Sequence, residues 1–332
     1  MSPALPRPDQ GPGSRYTARA TTTRRRPPTV VRRRDVAALA SRLTPRDTWL
    51  AAMVHEHRVL TTPQIGRIAF GASRTAQNRL RALHRMAVLD SFRPLVQTGS
   101  APEHYTLGPA GAALLAAHAG VETAALGWRP THTGRIAYSP WLGHDLGVND
   151  LLTRLTARGR DAPHAGLPLW LSENSCARRW GDIVRPDAYA HWSDHGALLP
   201  FFLEYDTGSQ PLARVDAKLP AYAAFTAATH ARPALLIHTR TASREAALRR
   251  RLTETARQLA LPVATASADF TTTSPWGNWW TPLTTTTPRL TLAELAAHWP
   301  DLSPAPGLEP TDADTPLTLP VPPLAPPAQG RV

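Results

Sequence analysis

Four residues of this 332-residue chain have the types and spacing to do chemistry together: Asp187, Glu204, Asp206 and Lys218. The runs Ile183–Trp192 and Leu198–Asp206 read as strands joined by Ser193-Asp194-His195-Gly196. A turn centred between His195 and Gly196 sets Asp187 opposite Glu204. Strand alternation puts Phe202, Glu204 and Asp206 on one face, with Phe201, Leu203 and Tyr205 on the other. Three carboxylates then converge at one end of a sheet, where each raises the pKa of the others. A hard divalent cation, Mg²⁺ or Mn²⁺, relieves that repulsion with oxygen ligands. Lys218 is the only lysine beside 36 arginines, and the two side chains are not interchangeable at a chemical site.

The elements that must position these groups follow from the apolar pattern. A helix over Leu212–Phe225 buries Leu212, Val215, Leu219 and Tyr222, and Lys218 falls about 60° from the centre of that stripe. The lysine therefore leans toward the sheet. His144–Arg158 is a helix with Val148, Leu151, Leu152 and Leu155 inward. Leu167–Ser172 and Pro233–His238 are strands, and Ser243–Ala260 is a helix. The order is α, three β, α, β, α, which predicts a mixed α/β sheet. Glu173 and Asp182 flank strands and receive no role. The single cysteine, Cys176, reads as a buried bystander. The cluster of Trp276, Trp279 and Trp280 reads as packing over a core edge, with stacking on unpaired bases as the other reading.

Ahead of this unit, Thr44-Pro45-Arg46-Asp47 opens a helix through residue 58, with Thr44 as cap and Pro45 at the first position. A second helix starts at Thr62-Pro63 and ends at Gly71. A third, capped by Ser73, turns Ala76, Leu80, Leu83 and Met86 inward. Two strands, Val88–Arg93 and Glu103–Leu107, complete a winged helix-turn-helix pattern. Arg74, Thr75, Gln77, Asn78 and Arg81 on the third helix are types that reach base edges and phosphates of double-stranded DNA. In His55-Glu56-His57 both histidines are read as surface: on a helix, neighbours two apart do not share a face, so no metal pair forms.

Arg185-Pro186-Asp187, then Glu204-Tyr205-Asp206, then Lys218 resembles the core of the PD-(D/E)xK nuclease superfamily. Asp206 stands where that pattern has a lysine, and Lys218 on the next helix would substitute. The wider string adds His144-Asp145-Leu146, Asn149 and Lys218-Leu219-Pro220-Ala221-Tyr222. Together these motifs resemble the replication-relaxation family of plasmids and mobile elements, over roughly residues 45–300. The resemblance implies a role in plasmid replication and DNA relaxation. It also implies a restriction-endonuclease-like (αβββαβ) domain. In an active site, Asp187, Glu204 and Asp206 would hold the metal and Lys218 would stabilise developing negative charge. His144, Asp145 or Asn149 would supply an outer ligand. The alternative is a non-catalytic origin-binding replication or transfer factor whose acids only make ion pairs. A tyrosine relaxase is set aside, because no strand-borne His pair accompanies the few tyrosines.

Composition bounds the rest. Hydrophobic content of 42% supports a packed core. No apolar run approaches the roughly 18 to 20 residues of a membrane span, and the N-terminus lacks a secretory signal. One cysteine allows no intrachain disulfide and suits a reducing cytoplasm. The net charge of +12 concentrates in residues 1–34, with nine arginines and one acid. Arg24, Arg25, Arg26, Arg32, Arg33 and Arg34 form a basic arm suited to phosphates. The expected organisation is a disordered arm over 1–35 and a winged helix-turn-helix over 36–120. A linker over 121–143, the α/β domain over 144–299 and a disordered Pro-rich tail over 300–332 follow. Replication or transfer proteins are expected partners besides DNA.

Overall fold

A computed structural model describes residues 20–21, 38–96, 99–285 and 288–308. The basic arm with Arg24, Arg25, Arg26, Arg32, Arg33 and Arg34 lies outside the described residues, as does the tail beyond 308. The molecule is α+β, with two open sheets. None of its described helices is long and apolar enough to cross a membrane.

Local signals start the first helices. Helix α1 (Pro45–Glu56) opens with a capping box: Thr44 accepts from the Asp47 N–H, and the Asp47 carboxylate accepts from the Thr44 N–H at 2.7 Å. Thr61 and Gln64 build a second box ahead of α2 (Thr62–Ala69). Helix α3 (Ser73–Arg85) begins without a side-chain cap, so the capping role expected of Ser73 is not realised. It is instead tied to α1, because Arg79 Nε donates to Asp47 at 2.8 Å. Burial raises the Asp47 pKa, but the hydrogen bonds from Arg79 and Thr44 outweigh it and hold the carboxyl below its ordinary value. Leu50, Met53, Ile65, Ile68, Leu80 and Leu83 fill the space between the three helices.

The first sheet runs β1 (Ala20–Thr21), β3 (Leu89–Pro94), β4 (His104–Leu107) and β2 (Leu60–Thr61), antiparallel throughout. After α4 (Pro109–His118), the expected linker is folded instead. It contains a 3-10 turn at Thr123–Leu126 and α5 (His132–Ala137). Trp128 Nε1 donates to the Leu107 carbonyl at 2.9 Å. Ile136, Ala137 and Leu142 share a small core with Val59 and Phe92.

The second sheet has the order β10 (Thr281–Pro282), β9 (Val263–Ala266), β8 (Ala234–Thr239), β7 (Ala197–Asp206), β6 (Ala188–Asp194), β5 (Ala165–Ser172). Strands β7, β8 and β9 are parallel, and the other pairs antiparallel. One face packs against α6 (Leu142–Asp161) and α11 (Leu292–His298), in a core continuous with the first three helices. The other packs against α7 (Glu173–Trp180), α8 (Leu212–Asp216), α9 (Leu219–Thr229) and α10 (Ala242–Gln258). The single helix expected over Leu212–Phe225 is thus two. Pro220 explains the break, since it has no N–H to donate and its ring clashes with the carbonyl four residues back. It sits in the first turn of α9, a position proline suits.

Other differences trace to distant contacts. His57 is buried and His55 half-buried rather than exposed, and Glu56 between them is buried too. Glu56 accepts from the Ser172 N–H and hydroxyl and from Ser175, and His57 stacks on Trp170 at 3.6 Å. The start of the Pro-rich segment packs on the body, where the Ala305 N–H donates to Tyr189 Oη at 2.8 Å. Trp280 is fully buried with Trp276 and Trp279 against the same core, as expected of that cluster. Cys176 is buried.

Neither ring nitrogen of His57 has a hydrogen-bond partner. Burial pushes its pKa down to about 4, against the raising effect of Glu56. A folded pKa below the unfolded value of about 6.5 gives stability that is present above pH 6.5 and is lost as pH falls through 4. The loss from His57 is on the order of 3 kcal/mol. Urea unfolding of His57→Phe at pH 7 and pH 4 should show a drop smaller by roughly that amount. A drop equal to that of the unmutated protein would show that His57 is not the cause.

Candidate functional site

The β6–β7 hairpin builds the site. His195 (φ 48°) and Gly196 (φ 84°) form its two-residue turn, with Asp194 paired to Ala197. Two positive φ values match a type I′ turn, whose twist suits the strands. The register carries Ala188 to Leu203, and the Asp187 N–H donates to the Leu203 carbonyl at 3.1 Å. Asp187 thus stands beside Glu204, as the register read from the sequence requires. Its side chain then extends the ladder: Oδ2 accepts from the Tyr205 N–H at 2.7 Å.

Cations come from three directions. His144, in the first turn of α6, places Nε2 at 2.9 Å from the same Asp187 oxygen, with Nδ1 at 3.8 Å from Asp145. Burial disfavours the charged imidazole, but the bonds and charges of Asp145 and Asp187 prevail and raise its pKa to about 10. Lys218, at the N-cap of α9, puts Nζ at 2.5 Å from Glu204 Oε2, and Tyr222 Oη donates to Oε1. Burial raises the Glu204 pKa first and the charge of Asp187 adds to it, with Lys218 opposing. Burial lowers the Lys218 pKa, yet the charges of Glu204 and Asp187 leave it above its ordinary value. Arg58, just after α1, lies 3.3 Å from Asp145.

Asp206 is not brought into this pair. Arg244 of α10 takes both of its oxygens at 2.7 and 3.3 Å, and the Gly208 N–H donates to it at 2.8 Å. Asp187, Glu204 and Asp206 do not form a set of ligand atoms all within 4.8 Å of one another. Among the described residues, the set that does is His164, Asp194 and His195, at the opposite hairpin end. The expected three-carboxylate convergence is therefore a two-carboxylate pair with a lysine. Asn149, expected as an outer ligand, is buried and donates to the carbonyls of His57 and Val59 at 3.1 and 2.7 Å.

The pair opens on a cleft of about 280 Å³, also lined by Trp141, Glu173 and Arg185. Glu173, assigned no role from sequence, begins α7, and burial with the charges of Asp187 and Asp145 raises its pKa. The short helix α7 gave no periodic signal between two strands, and nothing local marked Arg58 or Arg244 among so many arginines. On the first unit, Arg74, Thr75, Gln77, Asn78 and Arg81 are all exposed on α3. Gln77 and Arg81 line a groove of about 1080 Å³ between α2, α3 and the β3–β4 hairpin.

A family model described as replication-relaxation matches residues 52–239, more than half of the chain and the whole span from Asp187 to Lys218. No curated protein and no solved structure matches the chain.

Removing Lys218 would leave Glu204 buried beside Asp187 without its cation. Breaking a buried pair costs about 3–5 kcal/mol, and the partial exposure of the Lys218 side chain, 37%, reduces this to roughly 1–3. Because the Glu204 pKa is raised, the cost belongs to its ionised form, present at pH 8 and relieved by protonation at pH 5. Urea unfolding of Lys218→Met should show the loss at pH 8 and much less at pH 5. Adding Glu204→Gln should recover it. An equal loss at both pH values would mean that packing, not charge, is responsible.

Proposed function

The chain belongs to the replication-relaxation family, and from that premise we propose that it is a DNA-binding protein of a plasmid or mobile element acting in replication or DNA relaxation. One observation carries this reading: an exposed polar and basic helix face belongs to a unit that shares one continuous core with the unit whose cleft holds a carboxylate pair and a lysine. Residues 36–120 act as a winged helix-turn-helix. The succession α1, β2, α2, α3 and the β3–β4 hairpin supports this, as does the groove beside Arg81. Arg74, Thr75, Gln77, Asn78 and Arg81 contact the duplex, and the basic arm adds phosphate contacts.

Residues 144–299 act as a restriction-endonuclease-like unit that cleaves the backbone of the bound DNA. The succession α6, β5, β6, β7, α9, β8 supports this, with α7 inserted between β5 and β6. The donor set fits a hard divalent cation such as Mg²⁺ or Mn²⁺ at Asp187 and Glu204, and not at Asp206. Both hydrogen bonds to Asp187 fall on Oδ2, so Oδ1 is not engaged by them. Burial is the larger cause of the raised Glu204 pKa, and the charge of Asp187 adds a repulsion that a cation would relieve. When bound, the cation supplies Lewis-acid neutralisation at the scissile phosphate. His144 holds Asp187 in orientation, Tyr222 holds Glu204, and Lys218 stabilises developing negative charge.

A second reading, a non-cleaving origin-binding factor, is favoured by a different observation. Each acid already has an internal cation: His144 for Asp187, Lys218 for Glu204 and Arg244 for Asp206.

Supercoiled plasmid incubated with purified protein and Mg²⁺ or Mn²⁺ separates the two. The cleaving reading expects relaxed or linear product, abolished by Asp187→Ala and by Lys218→Ala. Product undiminished in those variants, or tight chelator-insensitive binding without product, rejects it. For the first unit, Arg74→Ala with Arg81→Ala should weaken duplex binding and reduce the slope of log affinity against log salt by about 2. An unchanged slope would remove α3 from the interface.

A further inference from the structure

All ten tryptophans lie within the described residues, and Trp141 alone is exposed, at 53% of its surface. Tryptophan is a highly buried residue on average, and the other nine here are buried or half-buried. Trp141 is the N-cap residue of α6 and stands on the wall of the cleft that holds Asp187 and Glu204. Its indole meets the His144 ring edge to face, with centroids 6.4 Å apart. Arg58, Arg185 and Lys218 line the same cleft together with Asp145, Glu173 and Asp206; Arg58 pairs with Asp145 and Lys218 with Glu204, while Arg185 has no carboxylate partner among the described residues.

The geometry points to a stacking subsite: Trp141 receives the face of one unpaired nucleobase, while Arg58, Arg185 and Lys218 take the adjoining phosphates. This rests on the reading of the cleft as a DNA-backbone site and adds its substrate class, DNA with a melted or unpaired nucleotide. Size favours it. At about 280 Å³ the cleft lies just below the roughly 300–1,000 Å³ of ligand pockets, a scale that suits about one nucleotide. A paired base hides its faces in the helical stack, so only an unpaired base offers a face to an indole. Such contacts tolerate any sequence, because every base has a π-face.

Fluorescence anisotropy in the presence of chelator tests it, with a labelled oligonucleotide carrying a short unpaired bubble and a fully paired duplex of the same sequence. Wild type should prefer the bubble. Trp141→Ala should weaken bubble binding about 5- to 150-fold, the 1–3 kcal/mol of base–aromatic stacking, with duplex affinity unchanged. Trp141→Phe should keep most of the preference. No bubble preference in wild type, or equal losses on both DNAs, overturns the subsite. The plasmid assay run in parallel tells the two failures apart. A stacking effect without metal-dependent product rejects cleavage and keeps the subsite. Metal-dependent product without a stacking effect rejects only the subsite.

Discussion

The β6–β7 register forces Asp187 and Glu204 side by side with little water to screen them, and the surrounding architecture answers that repulsion. Side-chain exposure is 13% at Asp187 and 9% at Glu204, too low for solvent to neutralise either. Each therefore needs a cation from another element. His144 arrives because α6 begins directly over this sheet end. Lys218 arrives at the junction of α8 and α9, as the N-cap residue of α9. Burial pushes the Tyr222 hydroxyl well above its ordinary pKa, and the charge and hydrogen bond of Glu204 add to it.

Helix α6 can hold His144 in place only if it is itself held, and the first unit does this. Gln64 Nε2 donates to the Leu146 carbonyl at 3.0 Å, Arg67 binds Asp150 and Thr153, and Asn149 ties α6 to the chain leaving α1. The Glu56 carboxylate reaches across to the start of α7. A buried acceptor set of this kind tolerates little sliding, because each displaced bond leaves a desolvated polar group. The unit carrying the polar face of α3 and the unit carrying the cleft are therefore tied together by buried contacts through α6.

How far the sequence revealed this depended on the range of the signal. The hairpin register, the inward lean of Lys218 and the cap at Thr44 are local or rest on short-range periodicity, and the structure agrees with them. The single helix over Leu212–Phe225 rests on the apolar stripe alone, and its break at Pro220 leaves Leu219 and Tyr222 buried in α9. His57 looked exposed because its burial comes from Trp170, more than a hundred residues on. Asp206 looked like a third ligand because its partner, Arg244, is 38 residues away. In a chain with 36 arginines, no single arginine advertises a pairing.

That excess makes the one lysine informative. Glu204 has two oxygens and two donors, Lys218 on one and Tyr222 on the other. A guanidinium is a planar fork that prefers to take both carboxylate oxygens. At position 218 it would compete with the Tyr222 hydroxyl and demand a wider gap between α9 and β7. A compact ammonium binds one oxygen, leaves the other to tyrosine, and keeps hydrogens directed at the cleft. Arg244 shows the contrast, with its fork spread over both oxygens of Asp206, where the further donor is the backbone N–H of Gly208 and not another side chain. The choice between the two cations follows from whether a second side chain must reach the same carboxylate.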